Sequence, residues 1–308
     1  MKTKLMMMAA MAALGMTIVS CSSDNEKLVE DAQPGKAHVR LVCGMGVSVS
    51  PMSRAALTAN GKALTDLYIL DYDKATGKLL QVLHQTSTAA DFAEPDLTLD
   101  YGEHVLKVVA TRSQEPTLWD AQNITWQVEP NILTPVTATQ PVMMTSTKTS
   151  DTFGAEKEVS VGIGTGTTVS IVLDRLVAKL VVSSTDVFPD YCITITLDLQ
   201  EHRTLSWATM DVIDAVDNQR VSDVTSLQGT TGTVLSYFVL TPKDGYTTDV
   251  TLTTNRTEGD PYSAITVPSV ILERNKVTTI SGPIYGHKQG FRVTVNDTWD
   301  NEGHDVNI

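Results

Sequence analysis

The stretch His38-Val39-Arg40-Leu41-Val42-Cys43-Gly44-Met45-Gly46-Val47-Ser48-Val49 decides the fold class. Val39, Leu41, Cys43, Met45, Val47 and Val49 occupy every odd position, and the even positions hold His38, Arg40, Val42, Gly44, Gly46 and Ser48. Side chains alternate across a strand, so apolar residues at period two mark a long ribbon with one face in a core. Pro51, which cannot donate to a ladder, ends it.

Outward from there the signal recurs in shorter pieces. Residues 67–72, 78–84, 104–110, 124–128 and 159–163 read as strands. Asp73-Lys74-Ala75-Thr76-Gly77-Lys78 reads as a hairpin loop with Gly77 where positive φ is tolerated, and Asn60-Gly61 is a strong turn dipeptide. Strands resume at 169–173, 176–182 and 192–199, where Ile193, Ile195, Leu197 and Leu199 alternate. They continue at 233–240, 249–253, 264–267, 277–281 and 291–295. Residues 209–216 read either as a short helix or as an irregular insert. Regular strands without a convincing amphipathic helix predict an all-β protein built of β-sandwiches.

A chain of 308 residues exceeds one ordinary core, so two domains are expected. Gly162-Ile163-Gly164-Thr165-Gly166-Thr167-Thr168 reads as a hinge, giving an N-terminal sandwich over 38–165 and a C-terminal one over 166–308.

The head of the chain carries Lys2 and Lys4, then an apolar run over 5–19 that is too short for a spanning helix with polar flanks. It reads as an export signal over residues 1–20, removed on maturation. Ile18-Val19-Ser20-Cys21 resembles the bacterial lipobox, with Cys21 becoming an acylated first residue whose several chains give stable anchoring. The alternative is an ordinary cysteine beyond a signal cut elsewhere. Residues 21–37, with Gln33-Pro34-Gly35, read as a flexible tether. Its Ser22-Ser23-Asp24-Asn25-Glu26 resembles a surface-export tag and equally fits any polar spacer.

Removing Lys2 and Lys4 carries the formal charge from −13 to about −15. Such a surface repels phosphate backbones, so nucleic acid is not an expected partner. Cys43 and Cys192 fall in different expected domains and read as buried free thiols in preference to a bridge.

Chemistry is sparse. His38, His84, His104, His202, His287 and His304 show no metal-ligand spacing, and the 162–166 glycines lack the Lys-Ser/Thr of a phosphate loop. No serine sits in Gly-x-Ser-x-Gly. Asp297, Asp300, Asn301, Glu302 and Asp305 do not match a calcium-loop spacing and read as a solvated turn. Trp119, Trp126, Trp207 and Trp299 read as core residues, with a sugar-stacking platform as the alternative. The expectation is no catalytic residue, no metal, no cofactor and no enzyme.

The tail names a family. Glu273-Arg274-Asn275-Lys276-Val277-Thr278-Thr279-Ile280-Ser281-Gly282, followed by Phe291-Arg292-Val293-Thr294-Val295-Asn296-Asp297-Thr298-Trp299, resembles the closing segment of the fimbrillins, the FimA/Mfa-like type V pilins. Leu173-Asp174-Arg175-Leu176-Val177-Ala178-Lys179-Leu180 is similar to their arginine-bearing strand that opens the second domain, and Leu67-Tyr68-Ile69-Leu70-Asp71-Tyr72-Asp73 to an early strand of the first.

The resemblance implies an exported outer-membrane lipoprotein at the cell surface, with two tandem transthyretin-like or Greek-key sandwiches. It also implies polymerisation with other fimbrial subunits, of the same or another kind, by strand addition after an arginine-specific protease cuts. The matching bond is Arg54-Ala55, which would free the strand bearing Val39, Leu41, Cys43, Met45, Val47 and Val49. The matching donor strand carries Phe291, Val293 and Val295, with Val306 and Ile308 as further teeth. Anchor-type members keep their lipid and are not cut, so stalk subunit and anchor or accessory subunit both stand. A surface lipoprotein binding glycans or host ligands through a sandwich face is the alternative function.

Overall fold

The computed structural model describes residues 35–45, 58–59, 62–112, 116–120, 126–129, 132–135, 142–146, 150–164, 166–257, 260–285 and 290–296. The strands in chain order are β1 (Lys36–Met45), β2 (Thr58–Ala59), β3 (Lys62–Ala63), β4 (Asp66–Asp73), β5 (Leu79–Thr86), β6 (Asp96–Asp100) and β7 (Gly102–Thr111). Next come β8 (Pro116–Asp120), β9 (Trp126–Glu129), β10 (Ile132–Pro135), β11 (Val142–Ser146), β12 (Thr152–Val161) and β13 (Thr167–Arg175). The second half holds β14 (Val177–Ser184), β15 (Thr194–Ser206), β16 (Asp211–Asp223), β17 (Gly232–Leu240), β18 (Tyr246–Thr257), β19 (Asp260–Leu272), β20 (Val277–Gly282) and β21 (Arg292–Asn296). A three-residue 3-10 turn at Thr225–Leu227 is the only helical element among the described residues.

The protein is all-β, as the alternation predicts, and consists of two β-sandwich units. A nine-stranded sheet in the order β6-β1-β13-β12-β7-β4-β5-β10-β9 folds over a core that includes Val39, Leu41, Leu67, Ile69, Leu106, Val108, Ile171 and Leu173. A ten-stranded sheet has the path β19-β18-β15-β17-β14-β20-β21, with β16 and β11 also on β15 and β8 on β11. Its core includes Leu180, Val182, Ile195, Leu197, Val239 and Ile280.

β4 is apolar on both faces because it separates two cores. Leu67 and Ile69 point into the first sandwich. Tyr68, Leu70 and Tyr72 point the other way, into a third cluster shared with Leu176, Val177, Leu205, Trp207, Met210 and Leu240 of the second unit. Alternation thus gives way to a continuous apolar run wherever a strand is covered on both sides. The Asp73 loop closes the β4–β5 hairpin as expected. Gly77 has φ of 67°, and Thr76 donates its N–H to Asp73 Oδ1 at 2.7 Å.

Three expectations are corrected. The glycine stretch 162–166 is not the place where the chain changes sandwich. β12 and β13, on either side of it, pair antiparallel through Phe153 and Arg175, and β13 also lies parallel to β1. Residues 167–175 therefore belong to the first sheet, and the chain crosses over at Leu176. Residues 209–216 are neither helix nor insert: 209–210 end a turn and 211–216 begin β16, which pairs along almost the whole of β15. Finally, β8 and β11, from the first half of the chain, join the second sheet through β15.

Candidate assembly site

β1 sits inside the first sheet, flanked on both sides. It is antiparallel to β6 with Lys36 opposite Asp100, His38 opposite Thr98 and Arg40 opposite Asp96, and parallel to β13 from Val39 through Met45. Beyond β6 the next backbone donors find loop carbonyls: Leu41 N–H bonds Pro95 O and Cys43 N–H bonds Ala93 O, both at 2.9 Å. No short hairpin ties β1 to either neighbour, because β6 and β13 lie far along the chain. Withdrawing β1 would therefore strain no tight turn and would leave a slot with unpaired backbone groups on both walls.

The floor of that slot is apolar. Val39 and Leu41 are fully buried, Cys43 is 2% exposed, and Met45 packs partly buried against the same core. Ala37 adds a buried side chain that the sequence pattern did not include. Burial pushes the Cys43 thiol up to about 12, so it stays protonated and inert in the intact fold. Both Cys43 and Cys192 are free and buried. Val47, Val49, Arg54 and Ala55, like Cys21 and residues 1–20, lie outside the described residues.

The rims of the slot are charged. The outward residues of β1 are Lys36, His38 and Arg40; facing them, Arg40 pairs with Glu94 at 2.5 Å and Lys36 with Asp100 at 3.8 Å. The β6 rim is anchored from below by buried His104. Its Nδ1 meets Asp71 Oδ1 and its Nε2 meets the Asp100 carbonyl, each at 2.8 Å. Burial pushes Asp71 up from its ordinary value, against the pull of His104.

The C-terminal candidates Phe291, Val293 and Val295 lie on and just before β21, which pairs antiparallel with β20 at the end of the second sheet. Val293 is 36% exposed, and Phe291 lies over Gly282, where a Cβ would fall 2.6 Å from its ring. Val306, Ile308 and Trp299 are outside the described residues.

Trp207 has no exposed surface and sits in the cluster between the two units, so it cannot serve a sugar platform. The side chains of Trp119 and Trp126 lie outside the described residues. An open cleft of about 770 Å³ on the second unit is lined by Asp198, Gln200, Asp217, Gln219, Thr247 and Asp249 among others, with no aromatic side chain to stack on a sugar ring.

Comparison with known proteins places the chain. Residues 119–308 match the sequence model of a family of unknown function, DUF6562. The chain belongs to the DUF6562 family. No curated protein matches its sequence. Solved structures share the fold of this DUF6562 chain over most of its length. One is a Bacteroides thetaiotaomicron protein described provisionally as polysaccharide-binding: 11% identity, TM-score 0.54, covering 84% of this chain and 96% of that one. Another is the fimbrial anchor protein Mfa2 from Porphyromonas gingivalis: 11% identity, TM-score 0.54, 85% and 97%. A third, from Bacteroides ovatus and described provisionally as an adhesin, has 13% identity, TM-score 0.50, and covers 88% and 96%. At such identities the likeness is one of fold.

Proposed function

We propose that this DUF6562 chain is a structural subunit of surface fimbriae, or an accessory or anchor lipoprotein associated with them. It would work in cell adhesion and join its neighbours by exchange of a β-strand. The observation that carries this reading is the position of β1: an N-terminal strand held on both sides by main-chain hydrogen bonds, with fully buried teeth and no hairpin to retain it. Each aliphatic tooth contributes ~1.5–3 kcal/mol on burial, so a replacement strand would be held firmly. The fimbrial anchor and adhesin descriptions of proteins with the same fold support the assignment.

In this reading the two sandwiches are the domains, with residues 1–20 as leader and Cys21 as a lipid-bearing residue that holds the chain at the outer membrane. Cutting at Arg54 would release β1, and its task is cohesion, without catalysis, metal or cofactor. Binding of glycans is the weaker reading, since Trp207 is unavailable to it.

The test is to treat the folded chain with an arginine-specific protease and follow its size. Appearance of oligomers that resist dilution, together with a new N-terminus at Ala55, supports the reading; a trimmed chain that unfolds or stays monomeric at high concentration refutes it. The N-terminal residue of protein isolated from cells separates the two roles, acylated Cys21 marking an anchor and Ala55 a stalk subunit.

A further inference from the structure

One end of the first sandwich takes no part in strand exchange. Four stretches meet there: the start of β1, the β4–β5 loop, the β6–β7 turn and the reversal after β12. Lys36 lies opposite Asp100, and Val161 lies opposite Gly102. Tyr101 N–H donates to Gly35 O and Lys74 N–H to Glu103 O, both at 2.9 Å. Ile163, in the reversal after β12, is 88% exposed, more than any other large apolar side chain among the described residues. Tyr101, at the same end, is 38% exposed. We propose that this end is a bilayer seat, in which Ile163 and Tyr101 enter the interfacial layer of the membrane that holds the acylated Cys21. This rests on the lipid anchor proposed above and adds to it the surface that meets the bilayer.

Position chooses the occupant. Cys21 lies fourteen residues ahead of Gly35, a stretch that spans no more than roughly 50 Å even when fully extended. An acylated Cys21 therefore keeps the Gly35 end of the sandwich near the lipid, and Gly35 is bonded to Tyr101 itself. β13 starts at this end and runs to Arg175, where the chain crosses into the second sandwich, so the second unit points away from the bilayer.

Shape and charge agree with it. Ile163 stands between Gly162 and Gly164, the latter at φ of 81°, and a Cβ added at either glycine would meet nothing within 4 Å. The result is a narrow apolar tip. Such a tip offers a folded partner little area, whereas the fluid boundary of a bilayer closes around it. Tyrosine suits the same layer, its ring apolar and its hydroxyl in contact with head groups. Around the tip, Lys36 pairs with Asp100 at 3.8 Å and Lys74 with Glu158 at 2.6 Å. These ion pairs offset acidic groups at this end of a chain whose formal charge is −13, which lowers repulsion from anionic head groups.

The test places the full chain, purified from membranes with its lipid, in phosphatidylcholine vesicles that carry a nitroxide on some head groups. A fluorophore is attached at Ser160→Cys, exposed on β12 just before the tip, or at Ile271→Cys, 44% exposed on the second unit. Cys43 and Cys192 are buried, so the introduced thiol takes the label. Quenching at Ser160→Cys should be several-fold stronger than at Ile271→Cys, and adding Ile163→Asp should bring it down to the Ile271→Cys level. If both positions quench alike, or Ile163→Asp changes nothing, the seat is overturned while the anchor stands. If the chain does not float with the vesicles, anchor and seat are overturned together.

Discussion

Arg175 grips Asp151 with two hydrogen bonds, Nε to Oδ1 at 2.7 Å and Nη2 to Oδ2 at 3.1 Å. Asp151 is fully buried at the entry to β12, and Arg175 ends β13 at the crossover between sandwiches. Its Nη1 reaches Asn275 Oδ1 at 2.7 Å, between β19 and β20 of the second unit, and its guanidinium lies over the Phe153 ring. One side chain thus fastens the last strand of the first sheet to a loop of the second. A planar bidentate donor is needed here, which lysine cannot supply.

Arg175→Met leaves the buried Asp151 carboxylate, among the described residues, with Arg112 at 3.8 Å as its remaining cation. Stranding a buried charge costs about 3 kcal/mol or more. Urea unfolding followed by the emission of buried Trp207 should show that loss, and Arg175→Lys should recover little of it.

Gly154, on β12, keeps the two units in contact. A Cβ there would fall 2.8 Å from Leu176 Cδ1, 3.0 Å from Met210 Cε and 3.1 Å from the Val108 carbonyl. Gly154→Val should cost about 2 kcal/mol through overpacking and shift Trp207 emission to the red as the shared cluster opens. Unchanged emission would mean that the contact is absorbed elsewhere.

The pH dependence of the second sandwich should follow Asp186. Burial alone would raise this carboxyl. Hydrogen bonds from Ser184 Oγ at 2.6 Å and from the Tyr285 and Ile284 N–H groups at 2.9 Å together outweigh it, holding the carboxyl below its ordinary 3.8. A depressed carboxylate adds stability that is complete above the unfolded value and is lost as pH falls through the folded one. Thermal stability of the chain should decline below about pH 4 in part through this site. Asp186→Ala should flatten that part of the decline and cost about 1–3 kcal/mol at pH 7, because two buried N–H groups lose their acceptor.

Within β1 the faces should answer differently. Leu41→Ala empties a fully buried site and should cost about 3 kcal/mol, while His38→Ala on the exposed face should fall within about 0.5 kcal/mol of the unaltered chain. Equal effects at both positions would mean that the strand is not seated by its inward teeth.

Much of the fold was legible where burial is one-sided. β1, β13 and β15 announce themselves by alternation, and Gly77 by its turn. β16 was not legible, because it pairs only with β15 among the described residues and leaves Val216 and Val221 about half exposed, so its sequence carries charges on both faces. β6 has only Leu97 and Leu99 to show, since its other face is the acidic rim of the slot. The glycines at 162–166 imitate a hinge because a reversal between strands and a boundary between domains make the same demand on backbone freedom. The Arg175–Asp151 pair had no local signature, its partners being brought together by sheet pairing alone.

The most direct test of strand exchange is the reactivity of Cys43. Its thiol is a tooth of β1, buried and raised to about 12, while buried Cys192 belongs to the core of the second unit. In the intact chain a maleimide should label neither thiol. After cleavage by an arginine-specific protease, oligomers should appear while Cys43 becomes labelled on a released fragment and Cys192 stays protected. Labelling of both thiols together would signify unfolding, and a Cys43 that remains protected while the trimmed chain stays monomeric would contradict the account.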